Sequence, residues 1–195
     1  MVKKCAAMVA VVAATGGING VYGAYPLATD DAGIVKTNFY ELEAGYDNCR
    51  GENVLLNQSC GISFKHGLTE KMDIGLSVPV QIDPVKEDRL GESALTLKFS
   101  LIREMLAFSF SNAFGEKDYF INAIFTKEFS SVIVNVNAGY LSTGDETVKG
   151  TGTHSVSLEI PIKRYEVVGE VQGQEGGIGN CLLGLRYRIT DSFFV

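Results

Sequence analysis

Apolar and polar side chains alternate along much of this chain with a period of two residues, which predicts β-strands whose two faces differ. The clearest run covers residues 154–163, where the apolar positions are Val156, Leu158, Ile160 and Ile162. Residues 72–81 and 131–141 repeat the alternation with equally regular spacing. The chain is therefore expected to be an all-β protein.

The alternating segments follow one another almost without interruption. We predict ten strands, with an eleventh beginning at Ser192, at 37–47, 60–68, 72–82, 92–102, 105–114, 118–129, 131–142, 153–163, 165–174 and 180–190. Their lengths lie near the roughly 9–11 residues that a tilted strand needs to cross a bilayer.

The predicted connections alternate strictly between short and long. Short turns are expected near residues 70, 103, 130, 164 and 191. Longer polar loops are expected at 48–59, 83–91, 143–152 and 174–179, with a shorter one near 115–117. Outer-membrane barrels have this arrangement, with short periplasmic turns and longer extracellular loops.

Alternation alone does not tell which face points inward, because soluble sandwiches alternate as well. The predicted strands exceed the usual 5–6 residues of soluble sheets, and aromatic residues such as Tyr46, Tyr140 and Tyr165 lie near strand ends. These features favour an antiparallel transmembrane β-barrel of the outer-membrane type with about 10–12 strands. We assign the barrel domain to residues 24–195.

The first 23 residues have the composition of a secretory signal peptide. Lys3 and Lys4 precede an apolar run that is too short for a membrane anchor, and Val21-Tyr22-Gly23 is an acceptable cleavage site. We therefore predict export, and with it a location in the bacterial outer membrane.

The charge of the chain excludes nucleic acid as a partner, and the charged residues of the strands mark their polar face. The formal net charge of −6 gives no basic footprint for nucleic acid. If the polar face lines a lumen, the lining residues are Glu41, Glu43, Lys65, Asp73, Lys98, Glu159, Glu166, Glu170, Arg186 and Arg188. Two interpretations stay open: opposite charges pair across strands to hold the barrel together, or some of them set the selectivity of a pore.

Three cysteines follow the predicted signal peptide. Export permits disulfides, and Cys49 and Cys60 flank a predicted loop, so they are a possible pair. It is equally consistent with the sequence that Cys49, Cys60 and Cys181 are ordinary small residues.

No catalytic or metal-binding pattern is present in the sequence. The two histidines are His66 and His154, and the adjacent Ser155 would point to the opposite face of a strand from His154. No cluster has metal-ligand spacing, and no nucleophile elbow or phosphate loop occurs. We predict neither an enzyme nor a cofactor.

Residues 25–33, Tyr-Pro-Leu-Ala-Thr-Asp-Asp-Ala-Gly, resemble the start of the outer-membrane proteins called the MetA-pathway of phenol degradation family. Residues 66–79 and 183–191 are similar to later parts of that family. The resemblance implies a barrel of about twelve strands that helps small hydrophobic or aromatic compounds across the outer membrane. Its partners would be outer-membrane lipid, those solutes and the barrel-assembly machinery.

Thr29, Asp30 and Asp31 within that start have two interpretations. They belong either to a segment tucked into the periplasmic mouth or to a turn ahead of the first strand. Because Asp stabilises turns through side-chain bonds to the backbone, we favour the turn.

Strand number suggests that the chain is truncated at its C-terminus. Single-chain bacterial barrels have an even number of strands. Completing the eleventh strand and adding one return strand would need about 25–30 more residues. The alternative is a smaller barrel closed between the first and tenth strands.

Three functions remain open on the sequence. The first is passive transport of small hydrophobic or aromatic compounds. The second is a structural or adhesive barrel without flux, and the third is a soluble exported β-sandwich that binds a ligand.

Overall fold

The computed structural model describes residues 5–6, 27–51, 54–83, 91, 93–114, 116–145, 147–175, 177–190 and 193–194. Most of the predicted signal peptide lies outside these residues. Cys5–Ala6 are described, and they pair with Asn48 and Cys49.

The described residues form one antiparallel sheet whose strands follow chain order. Two-residue strands at its two ends, β1 (Cys5–Ala6) and β12 (Phe193–Phe194), flank ten longer ones. The longer strands are β2 (Tyr40–Gly51), β3 (Val54–Thr69), β4 (Met72–Asp83), β5 (Ala94–Ile102), β6 (Leu106–Ala113), β7 (Tyr119–Phe129), β8 (Val132–Ser142), β9 (Thr151–Ile162), β10 (Tyr165–Gln174) and β11 (Gly177–Thr190). The all-β prediction is confirmed, and each predicted strand corresponds to one of these ten.

Two of the predicted long loops are wrong. Residues 48–59 are mostly strand, since β2 runs to Gly51 and β3 starts at Val54. Residues 174–179 likewise belong largely to β10 and β11. Backbone hydrogen bonds extend a hairpin whatever its side chains are, so polar composition hid these extensions. Connection lengths therefore do not alternate strictly.

The sheet is not closed into a barrel within the described residues. Strand β2 pairs with Cys5–Ala6 and β3, while β11 pairs with β10 and Phe193–Phe194. Among the described residues no ladder joins the first long strand to the tenth, so closure of a smaller barrel between them is not observed. A sandwich of two sheets is also not formed, because all described strands belong to one sheet.

This sheet buries its polar face and exposes its apolar face, which is the reverse of the arrangement in a soluble protein. On β9, Glu159 is only 4% exposed, whereas its apolar neighbour Leu158 is 47% exposed. The same contrast separates Lys98 from Leu97 on β5. Among the described residues, buried polar and charged side chains outnumber buried apolar ones. The polar face is therefore the inward face, and the apolar face is the outward one.

No helix among the described residues is long and apolar enough to cross a membrane.

Candidate functional site

Residues 27–39, which we call the plug segment, lie against the inward face of the sheet. The N–H groups of Ala28 and Thr29 donate hydrogen bonds to one oxygen of Glu170 on β10, at 2.7 and 3.0 Å. The N–H of Ala32 donates to Thr126 Oγ1 on β7 at 2.8 Å. A single short segment thus touches strands three apart, which requires the sheet to curve around it.

The plug segment enters from the end of the sheet that carries the short turns, at residues 70–71, 103–105, 130–131 and 163–164. At that end Asn38 donates to the Gly67 carbonyl and Phe39 accepts from the Gly67 N–H, at 2.9 and 3.1 Å. The N–H of Val35 donates to Asp73, one residue into β4, at 2.9 Å. Glu170 lies five residues into β10, so the segment rises roughly 16 Å at about 3.3 Å per residue.

Thr29 and Asp30 lie against the inward face of the sheet, and Thr29 is fully buried. That this face opens at a periplasmic mouth stays a prediction. Asp31 also forms the expected local turn, since its Oδ1 accepts the Gly33 N–H at 2.6 Å.

Asp30 anchors the plug segment through its charge. Its carboxylate lies 3.0 Å from Lys98 Nζ. Burial opposes ionisation of Asp30, but the charges of Lys98 and Lys65 outweigh it and hold its pKa below the ordinary value. Asn137 on β8, with its amide oriented to match its neighbours, accepts from the Asp30 N–H and donates to the Asp30 carbonyl, at 2.8 and 2.9 Å.

A buried ion-pair cluster joins three strands on the inward face. Arg186 Nη1 lies 2.7 Å from Glu159 Oε2 and 2.8 Å from Glu166 Oε2, and all three side chains are buried. Buried guanidinium–carboxylate pairs need such short contacts, because taking each charge out of water is expensive.

This cluster connects to the plug segment through neutral side chains. Thr126 Oγ1, which accepts from Ala32, donates to Asn135 Oδ1 at 2.7 Å. Asn135 Nδ2 then donates to Glu159 Oε1 at 2.6 Å, and Glu159 accepts from Arg186. The network crosses β7, β8, β9 and β11, so it couples the seat of the plug segment to the far strands.

A second cluster lies on the same inward face, near the other end of the strand order. Lys65 Nζ on β3 lies 2.7 Å from Glu41 and 3.5 Å from Glu43, both on β2. Glu41 and Lys65 are direct cross-strand neighbours in the ladder. The charges of this hairpin are thus matched across strands.

All ten predicted lining residues lie on the inward face. Eight are buried, and Lys65 and Arg188 are half-buried. The sequence interpretation in which opposite charges pair across strands describes Lys65 and Arg186 well. It missed Asp30, Thr126 and Asn137, whose contacts depend on a segment that lies outside every strand.

A cavity of about 490 Å³ opens at the short-turn end, between the plug segment and the inward face. Its lining includes apolar side chains such as Ile34, Phe39 and Ile133 beside the charged Glu41 and Asp73. Small-molecule sites have this size and this mixture of apolar walls with a few polar groups. The cavity is large enough for a small organic solute.

Gly67 lets the base of the plug segment approach β3. A Cβ at this position would overlap the backbone carbonyl oxygens of Val35 and Lys36. Gly67→Ala is therefore expected to lower the free energy of unfolding by about 1–3 kcal/mol, measured by urea unfolding in phospholipid vesicles. Gly61→Ala is the matched control on the same strand, because nothing lies within 4 Å of its added Cβ. Equal stability of the two variants would contradict the close approach.

The two cysteines of the possible disulfide lie on the neighbouring strands β2 and β3. Cys60 is a free thiol, and its cross-strand partner is Tyr46, whereas Cys49 lies opposite Asn57. Cys181 is also free.

The histidines have local contacts. His66 Nδ1 lies 3.1 Å from the Phe39 carbonyl oxygen, and its ring stacks on Tyr40 at 4.4 Å between centroids. Within the described part of the chain, no three His, Cys, Asp or Glu side chains are placed to hold a metal ion.

Comparison with known proteins gives no assignment: no family model, no curated protein and no solved structure matches the chain.

Proposed function

We propose that this protein is an outer-membrane β-barrel protein that allows small hydrophobic or aromatic compounds to cross passively. The observation that carries the proposal is the inverted sheet, with charges buried inside and large apolar side chains outside. Outward residues such as Phe108, Leu158 and Ile160 would face water at a cost in a soluble protein, and lipid removes that cost.

The buried interior supports a barrel better than a soluble sandwich. A sandwich buries its apolar faces and exposes its polar ones. Here the cross-strand partners Ser157 and Asn135 are completely buried. The apolar residues on either side of Ser157, Val156 and Leu158, face outward. The proposed location is the bacterial outer membrane, with residues 1–23 acting as the export signal.

The class of solute rests on the resemblance to the MetA-pathway of phenol degradation family. The cavity at the short-turn end is compatible with it, because its walls combine apolar and charged groups. A second candidate function is a structural barrel without flux. The plug segment favours it, since it occupies the inward face up to Glu170.

The test combines location with uptake. The full chain is expected in the outer-membrane fraction, with heat-modifiable gel mobility, and its vesicles should admit phenol faster than protein-free vesicles. Membrane location without uptake would select the structural barrel. Recovery in the soluble periplasmic fraction would refute both.

A further inference from the structure

The inward face recognises the plug segment chiefly through its backbone. Glu170, Thr126 and Asp73 each accept hydrogen bonds from main-chain N–H groups of the segment. Asn137 bonds both the N–H and the carbonyl of Asp30. The Asp30–Lys98 ion pair is the side-chain contact that accompanies them.

The contacts between the plug segment and the sheet are few enough for the segment to detach from the inward face. Its described backbone pairing with the sheet is confined to the short-turn end, where Thr37, Asn38 and Phe39 meet Gly67. Its buried apolar side chains are Leu27 and Ala32, and Ala32 packs in a cluster with Ala107 and Ile124. Hydrogen bonds to water can replace those to Glu170 and Asp73 once the segment leaves, because both acceptors are charged.

We propose that the inward face is a binding site for an extended peptide backbone. We propose further that residues 27–35, the part of the plug segment that precedes the Thr37–Gly67 bridge, are a removable plug which occupies it. This inference rests on the proposed barrel function and specifies how passage is controlled. Departure of the plug joins the cavity at the short-turn end to the space around Glu170 and Asn137. Solute passage then depends on how often the plug is out.

The first test removes the plug and returns it as a separate peptide. In planar bilayers, a variant of the full chain lacking residues 27–35 should conduct at least about tenfold more than the native protein, since losing even one charge-assisted hydrogen bond shifts an equilibrium by that order. A synthetic peptide of residues 27–37 should restore the native level. The same peptide N-methylated at Thr29 and Ala32 lacks two N–H donors and should not restore it.

A point variant tests the same contact without a deletion. Glu170→Leu removes the acceptor shared by Ala28 and Thr29, so their amide hydrogens should exchange faster by about tenfold or more. Glu175→Gln is the matched control, because Glu175 is exposed beyond the end of β10 and does not contact the plug segment. Unchanged exchange in Glu170→Leu would overturn the inference.

The outcomes separate this inference from the proposed function. If the deletion variant and the native protein conduct equally and the labelled peptide does not bind, the proposal of a removable plug is wrong. Peptide binding to the deletion variant without any conductance would keep the backbone site and reject transport.

Discussion

Arg186→Met is expected to lower the free energy of unfolding by about 3–5 kcal/mol, because it leaves two buried carboxylates without their cation. Glu159 and Glu166 share this one guanidinium, at 2.7 and 2.8 Å. The change also removes a hydrogen-bond donor to Glu159, which accepts from Asn135 in the network that leads to the plug segment. The measurement is reversible urea unfolding in phospholipid vesicles, followed by tyrosine fluorescence.

Two further variants test the cause of that loss. Arg164→Met removes an exposed arginine from the turn between β9 and β10, and it should change stability by less than about 0.5 kcal/mol. Arg186→Met combined with Glu159→Leu and Glu166→Gln should recover much of the loss, since no buried charge then remains unpaired. If Arg186→Met is as stable as Arg164→Met, the buried cluster does not hold these strands together.

Leu158→Arg is expected to cost about 2–4 kcal/mol in vesicles, the cost of a cation at the middle of a bilayer-facing strand. Leu158 is 47% exposed and lies in the outward apolar face of β9. In a soluble protein, arginine at so exposed a position is nearly neutral. The variant therefore distinguishes lipid from water outside the sheet, by urea unfolding in vesicles.

A residue near the end of the same strand provides the control. Ile162 is equally apolar and exposed but is the last residue of β9, beside the turn at Lys163. Ile162→Arg should cost only about 0–1 kcal/mol, because a cation near the interface reaches water. Equal and small costs for the two variants would remove the main support for an outer-membrane location.

The strands were predictable because alternation is a local property. In β9, Val156, Leu158 and Ile160 share a face in any strand, whatever surrounds it. Alternation likewise places Glu159 and Arg186 on the polar face without any knowledge of their contact. It did not find the ends of β2 and β3, where Asn48 pairs with Gln58 through backbone bonds that carry no apolar signature.

The long-range contacts of the plug segment could not be predicted from its local sequence. Asp30 and Asp31 favour a turn, and Asp31 does make one with Gly33. Nothing in residues 27–39 indicates that Glu170, more than 140 residues later, accepts two of its N–H groups. Such contacts depend on how strongly the sheet curves, which is set by all its strands together.

By itself, the sequence determines that this protein is all-β and which side chains share a face, because a period of two requires no information about neighbours. Only the tertiary structure decides that the charged face turns inward, that Arg186 neutralises Glu159 and Glu166, and that residues 27–39 occupy the interior. The physical reason is that alternation is unchanged when the two faces are exchanged. Curvature, burial and the pairing of charges arise only when distant strands meet.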